Sequence, residues 1–574
     1  MAMKEPTHDG FENRVAGVLV PLFALRGAND LGCGDTGALC EFISWAADAG
    51  FRVVQLLPVN ETGADNSPYN AISSVAIEPT TIDVTALDDL QPEEIESVVG
   101  MHRAGELRQG PVNWRTVKAL KRGLLRLAFA NFSRRSGEGK DGRARSFTAF
   151  TEEEAAWLDG YALFRLMMEL HGSEKWDAWP EEVRNAASAR RWLKALPPEK
   201  RTELEQELLH FKYVQWLAFT QWREVRAYAT AHGVQLMGDV PIGVNYYSAD
   251  VWSAPDLFDL RWSCGAPPEP AFLDDEFIQN WGQNWGVPLY RWSRHRATDF
   301  KWWRQRVRKI REGFHIFRID HVLGFFRIYA FPWRPERNAE FFPLAKDEAK
   351  ERTRGELPRF HDYADDTPAH CDANRAQGEA LLAELQDEAG AGALVGEDLG
   401  TVPDYVRPSL LSLDIPGFKV PLWEAEADMR LTPGDQYPRC SVATFATHDH
   451  DPLSVTWEKW MSVIRAALNE PERLGAARNV AWRESRRLAA WAGVEVPCIT
   501  PFEDVHERLL AGLFRSNSWL AAVMITDLLG IGLRFNVPGS VGDGNWSARL
   551  PEGWQVSFRD KVRSVSRLIR ETGR

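Results

Sequence analysis

Eight short apolar, β-branched runs, separated by longer segments with helical spacing, constrain this chain more than any other feature. They are GVLVPLFAL from Gly17, RVVQLLPV from Arg52, VQLMGDVPI from Val234, HIFRIDHV from His315, GALVGEDLG from Gly392, GFKVPLW from Gly417, SVATFATHD from Ser441 and IGLRFNVPG from Ile531. A run that is apolar on both faces belongs in a strand covered on both sides, and strands alternating with helices imply a parallel sheet. Eight is the count of a closed (β/α)8 TIM barrel. The expectation is therefore an α/β fold of that type, with helical insertions between barrel strands. Spacing between the runs is uneven. From about 90 to 231 there are only helical patterns, such as Val117 to Phe132, and a capping-box signature over Thr151 to Glu154. This predicts a single catalytic barrel over 10–574 carrying an inserted helical subdomain at about 90–231 and smaller insertions at about 333–391 and 457–514. The polar stretch Ser133 to Arg145 reads as a solvated loop.

Composition removes several classes of function. With 68 Lys+Arg against 81 Asp+Glu, the net charge of −13 argues against a nucleic-acid partner held through its phosphates. No uncharged stretch approaches the ~18 residues that cross a bilayer. The first apolar run follows Glu5, Asp9 and Glu12 and contains Pro21, unlike a signal peptide, so no membrane association is expected. Six cysteines without a CxxC pair fit a reducing, cytoplasmic setting. There are 24 Trp but only 11 Tyr, and a flat indole serves either a core or a ligand platform.

Ligands of parallel α/β folds bind at the carboxyl ends of the strands. There the chain carries Asn60, Asp239, Asp320 with His321, Glu397 with Asp398, His448 with Asp449, and Asn536. A single Asp after a strand is more often a cap or turn residue. Four carboxylate-ended strands converging on one mouth demand a cation, a ligand or divided pKa values. Two chemistries use such a cluster. Paired carboxylates can act on an acetal carbon as nucleophile and proton donor, and a run such as His448-Asp449-His450-Asp451 can bind divalent metals in a phosphohydrolase. The tryptophans favour the first, because sugar rings stack on aromatic faces whereas a phosphoester site needs cationic or Gly-rich cradles. Trp281 and Trp285, in the Gly- and Asn-rich stretch Gln279 to Gly286, are expected to be exposed at a site; Trp252 and Trp292 divide evenly between core and site. Gly32 to Gly37 matches GxGxxG, but Leu25 to Leu31 separates it from the strand. It reads as a loop lining the barrel mouth rather than a dinucleotide cradle.

Taken in order, Leu31-Gly-Cys-Gly-Asp35, Ser67-Pro-Tyr69, Gly238-Asp-Val-Pro241, Ser248-Ala-Asp-Val-Trp252, Gly265-Ala-Pro-Pro268, Gly282-Gln-Asn-Trp-Gly286, Arg318-Ile-Asp-His321, Gly396-Glu-Asp-Leu-Gly400, Thr447-His-Asp449, Asn536-Val-Pro-Gly539 and Asn545-Trp546 resemble the amylomaltases, the 4-α-glucanotransferases or disproportionating enzymes. The segment Ile319 to Pro332 is most similar to the branch containing the plant cytosolic disproportionating enzyme. The resemblance implies a retaining transfer of α-1,4-glucan, with malto-oligosaccharides and glucose as partners and neither cofactor nor metal. It implies Asp320 as nucleophile, Glu397 as general acid/base and Asp449 as a third carboxylate gripping sugar hydroxyls. Tyr69, Asp239, Arg318 and His448 would line the donor glucose site, Ser67 and Asn536 would also bind substrate, and Trp285 would sit in a mobile loop beside the acceptor. Physical reasoning agrees: Arg318, two residues before Asp320 on a strand, points to the same side, where its charge favours the carboxylate. Glu397 must be protonated when the leaving sugar departs, which calls for a raised pKa; Asp398 beside it reads as a helix cap. The chain departs from the usual pattern at His450, Val287, Glu78-Pro79 and the long acidic loop over 269–281, which bear on chain-length preference and on the ratio of transfer to hydrolysis. A hydrolase of the same superfamily is the principal alternative; a metal phosphohydrolase and a non-catalytic glycogen binder are weaker ones.

Overall fold

The computed structural model describes residues 11–101, 104–136, 142–268, 275–426, 428–538, 542 and 544–574. Its strands, in chain order, are β1 (Val15–Leu19), β2 (Val53–Gln55), β3 (Gln235–Val240), β4 (Phe258–Ala266), β5 (Gln283–Tyr290), β6 (Ile316–Ile319), β7 (Ile328–Phe331), β8 (Arg359–His361), β9 (Leu394–Gly396), β10 (Gly417–Lys419), β11 (Ser441–Ala443) and β12 (Leu520–Met524). Eight of them form one parallel sheet in the order β10-β11-β12-β1-β2-β3-β6-β9. Its two edges meet where Gly396 N–H donates to Pro416 O at 2.9 Å, curling the sheet into a nearly closed TIM barrel. Val53, Met237, Ile316, Val395, Phe418, Val442 and Leu520, one from each of seven strands, share one buried cluster, so the barrel interior is a packed core and not a pore.

Seven of the eight expected runs supply barrel strands. The eighth does not: residues 531–538 are irregular, and β12 (LAAVM) lies between β11 and β1. From Trp519 to Leu529 the chain is almost uniformly apolar, so periodicity alone cannot separate a strand from a helix within it. The fold divides it into β12 and a short helix, Ile525–Leu529, which ends on Gly530 at φ +66°. Only glycine adopts that left-handed cap without strain.

Between β2 and β3 every regular element described from 92 to 231 is helical, the longest being Pro198–Ala231. The capping box is a correction. Thr151 lies in the last turn of helix Gly142–Glu153 and its hydroxyl turns back to Thr148 O at 2.8 Å, because the preceding helix runs further than the pattern suggests. The expected loop over Ser133 to Arg145 is also shorter, since helix Trp114–Ser136 continues to 136 and the next starts at Gly142; 137–141 lie outside the described residues.

A second sheet, antiparallel and ordered β5-β4-β7-β8, flanks the barrel mouth and is absent from the expected elements. Gly286 and Pro288 within β5 read as breakers in a sequence; here two register shifts between β4 and β5 accommodate them. The strands approach so closely that a Cβ on Gly265 would lie 1.8 Å from Gln283 O.

Candidate active site

A cavity of about 2480 Å³ opens at the carboxyl ends of the barrel strands, with Ser67, Tyr69, Arg318, Asp320, Glu397 and Asp449 in its wall. Arg318 organises it. From β6 its Nη1 donates to Asp239 Oδ2 at 2.5 Å, and its Nη2 donates to Asp320 Oδ1 at 2.6 Å and lies 3.9 Å from Glu397 Oε2. The parallel register sets Asp239 of β3 directly beside Arg318, and residues two apart on a strand share a face, which delivers Asp320 to the same guanidinium. Burial pushes the Asp239 carboxyl up, as does Asp320, while Arg318 pulls it back. Tyr69 donates its hydroxyl to Asp239 Oδ2 at 2.6 Å, and Ser67 Oγ holds the turn by accepting from Tyr69 N–H at 3.3 Å.

Glu397 follows β9. Its Oε2 accepts from His321 N–H at 2.7 Å and its Oε1 from Leu399 N–H at 3.2 Å. Burial nevertheless pushes it up to about 8, with Arg318 opposing the rise and Asp320 adding to it, which favours the protonated acid near neutral pH. His321, at φ +49°, holds a left-handed conformation rare for a residue with a Cβ; that conformation aims its N–H at Glu397. The His321 ring is half-buried in the cavity wall, and desolvation pulls it down to about 4.

Beyond Tyr69, His448 lies flat against its ring, with centroids 5.0 Å apart and planes 8° apart, and its Nε2 is 3.4 Å from Asp449 Oδ1. Asn536 Nδ2 donates to the same oxygen at 2.5 Å. Burial works to raise Asp449, but His448 and the Asn536 amide outweigh it and hold the carboxyl low. Asp239 and His448 stand behind the wall formed by Tyr69 rather than in the lining itself. Arg534, absent from the sequence-derived set, ties this side together: its Nε donates to Asn536 O, its Nη2 to Asp449 O and its Nη1 to Asp451 Oδ1. Asp451 also pairs with Lys459, and His450 Nδ1 shares a hydrogen bond with Thr447 Oγ1. The His448 to Asp451 run is thus spread over separate partners instead of converging as a ligand set.

Trp285 projects from β5, 37% exposed, with its ring edge-on to His321 at 4.9 Å. It is less free than a mobile loop would make it, because Asn284 beside it is held by Ser263, by Trp333 O and by Asn338. Trp281 is a correction: it is buried edge-on against Trp333, on the inner side of the short helix Glu276–Trp281. Trp252 is fully buried, and Trp292 packs against the core. The Gly32 to Gly37 loop is a second correction, being absent from the cavity wall. Asp35 instead caps helix Thr36–Ala49 and pairs with buried Lys121 at 3.0 Å, and a Cβ on Gly34 would strike Leu22 O. Asp398 caps no helix, since the next one, Val406–Ser412, has Tyr405 at its N-cap.

Among the unusual residues, His450 faces exposed Trp423 at 5.0 Å, and Val287 packs on Gly243, where a Cβ would come within 2.5 Å. Glu78 is buried. Burial pushes its carboxyl up, but Lys118 and the N–H groups of Thr62 and Thr80 outweigh that and leave it low. Of the acidic loop, 269–274 lie outside the described residues.

A parallel barrel whose mouth gathers carboxylates around one buried arginine, with an exposed indole on the same cavity wall, has the layout of a barrel enzyme of carbohydrate chemistry. The comparisons sharpen this. A family profile described as 4-alpha-glucanotransferase matches residues 20–555, and the chain belongs to that family. It is 32% identical to a 4-alpha-glucanotransferase of Chlamydia pneumoniae, over 93% of this chain and 91% of that protein. With the 4-alpha-glucanotransferase DPE2 of Oryza sativa it shares 34% identity over 56% of this chain and 32% of that protein. The amylomaltase from Streptococcus agalactiae in complex with acarbose superimposes with a TM-score of 0.74 at 22% identity, covering 98% of this chain and all of that one, which supports the fold.

Proposed function

We propose that this enzyme moves α-1,4-glucan segments from a donor malto-oligosaccharide to glucose or another dextrin by double displacement. Asp320 attacks the anomeric carbon while Glu397 protonates the departing glycosidic oxygen. The bond to the leaving sugar breaks as a glycosyl ester on Asp320 forms. Glu397, now ionised, takes the proton from the 4-hydroxyl of the acceptor, whose oxygen displaces Asp320, and configuration is retained. Tyr69 and Arg318 form the wall for the donor glucose, backed by Asp239 and His448; Asp449 with Asn536 grips its hydroxyls, and Trp285 carries the acceptor.

The observation that carries this reading is the Arg318 fork. One nitrogen reaches Asp320 at 2.6 Å and Glu397 at 3.9 Å, so both carboxyls face one point at the strand ends, as a nucleophile and a proton donor acting on the same glycosidic bond must. The same charge stabilises an attacking carboxylate, while burial keeps the proton on Glu397. Trp285 favours transfer over hydrolysis by holding a sugar where water would otherwise enter. The domain reading is also ours: one catalytic unit over 10–574, with the inserted helices of about 90–231 lending Lys118, Arg165 and Phe211 to the cavity wall. We assign it to the cytoplasm, supported by six unpaired cysteines; no helix of the described residues is long and apolar enough to cross a membrane.

Incubation with maltotriose tests the proposal. Dextrins longer than the substrate should appear alongside glucose, in the presence of chelator, and Asp320→Asn should lower turnover by about 10⁴-fold or more. Glucose and maltose without longer products would show the hydrolase instead. Acarbose, bound in the Streptococcus structure, is the inhibitor to try first.

A further inference from the structure

The eight-stranded sheet has one weak point, the junction of its edge strands β9 and β10, and Glu397 stands at its rim. Elsewhere neighbouring strands are joined by ladders. Here the link between Gly396 N–H and Pro416 O is followed not by a second backbone bond but by a side chain. Asp398 Oδ1 accepts from Phe418 N–H at 2.6 Å, and its Oδ2 accepts from Arg407 Nε at 3.0 Å. Asp398 is only 1% exposed, and β10 comes so close that a Cβ on Gly417 would lie 2.9 Å from both carboxylate oxygens.

We infer that Asp398 is a positioning residue for Glu397: by stapling the end of β9 to β10 it fixes the backbone from which Glu397 projects. This rests on the acid/base reading of Glu397. The groups facing Glu397 are Arg318 from β6, Asp320 and the His321 N–H after that strand, the Leu399 N–H beyond β9, and Asp398 itself. Arg407 is paired outward with Asp398 and Glu424, and Glu424 also holds Lys419 of β10. Asp398 is therefore the one group of the seam that adds negative charge next to Glu397. A misplacement of about 1 Å in a proton donor costs on the order of 100-fold in rate.

Three variants separate geometry from charge. Asp398→Ala removes both, and should lower kcat by about 100-fold while changing donor KM little. Gly417→Ala leaves Asp398 in the chain but pushes its carboxylate off Phe418, and should reproduce a large part of that loss. Asp398→Asn keeps an oxygen for the Phe418 N–H and should retain most of kcat, but its alkaline limb of kcat/KM should move to lower pH, because a like charge next to Glu397 is gone. Thermal unfolding confirms that each variant is folded; if Asp398→Ala is not, the other two carry the test. A folded Asp398→Ala or Gly417→Ala with parental kcat, or an unmoved limb in Asp398→Asn, overturns the inference. Glu397→Gln is measured beside them. Full turnover there overturns the acid/base reading itself, whereas loss confined to Glu397→Gln overturns only the role of Asp398.

Discussion

The parallel barrel and the antiparallel sheet β5-β4-β7-β8 both reach the cavity, the first through Arg318, Asp320, Glu397 and Asp449, the second through Trp285. The barrel contributes charge gathered around one buried guanidinium. Its carboxyls are tolerated because one guanidinium is shared among three of them and because one of them stays protonated. The antiparallel sheet contributes a shape. Asn284 and its partners hold Trp285 as a flat surface that needs no ionisation. On the function proposed above, proton transfer falls on the element able to compensate charge, and contact with the acceptor on an element that needs no such compensation.

The largest test of this contrast strikes the shared cation. Arg318→Met leaves buried Asp239 and half-buried Asp320 without their partner, so we expect a loss of about 3 kcal/mol in unfolding free energy, measured by urea titration, together with loss of transfer activity. A variant of parental stability would show that the barrel mouth does not depend on that fork. Glu397→Gln acts on the same region with the opposite sign for stability. The folded carboxyl, at about 8, lies above its ordinary 4.5, so ionising it opposes folding: its full stability is present below about pH 4.5 and is lost as the pH rises towards 8. The Gln variant should match its parent in thermal midpoint near pH 4 and exceed it increasingly up to pH 8, while losing turnover; a constant offset across that range would contradict the burial argument.

On the other sheet, Gly265→Ala should push β5 away from β4, since its Cβ would meet Gln283 O, and lower the ratio of transfer to hydrolysis without abolishing cleavage of the donor. The smallest effect belongs to Trp285→Ala. About tenfold in acceptor KM, or about 1.4 kcal/mol of stacking, is expected, with unfolding and the pH profile as in the parent. A shifted pH profile in Trp285→Ala would join the two regions that we hold to be separate.

These same two regions differ in how much of them could be read in advance. Barrel strands covered on both faces must be apolar throughout, and their polar ends mark the mouth, so seven strands and the residues Asp239, Asp320, Glu397, Asp449 and Asn536 stood out in the one-dimensional pattern. Asn536 reaches the site even though the run that contains it is not a strand. The antiparallel sheet left no such trace, because Gly286 and Pro288 interrupt β5 and register shifts absorb them. Trp281 and Trp285 lie four residues apart in one polar segment, yet one is 4% and the other 37% exposed. Burial there follows from the contact with Trp333, whose place depends on β7. Arg534 carried no signal at all, since its partners lie up to 85 residues away in the chain.

What the amino-acid sequence determined by itself is the alternation of strands and helices, the parallel barrel and the set of carboxylates at its mouth, because local hydrophobicity and strand periodicity carry that information. What only the tertiary structure decided is which apolar stretch became the last strand, how Arg318 divides itself among Asp239, Asp320 and Glu397, and how Asp398 closes the seam between β9 and β10. Those outcomes depend on register and on contacts between distant segments, and a buried charge acquires its pKa only when such contacts exist.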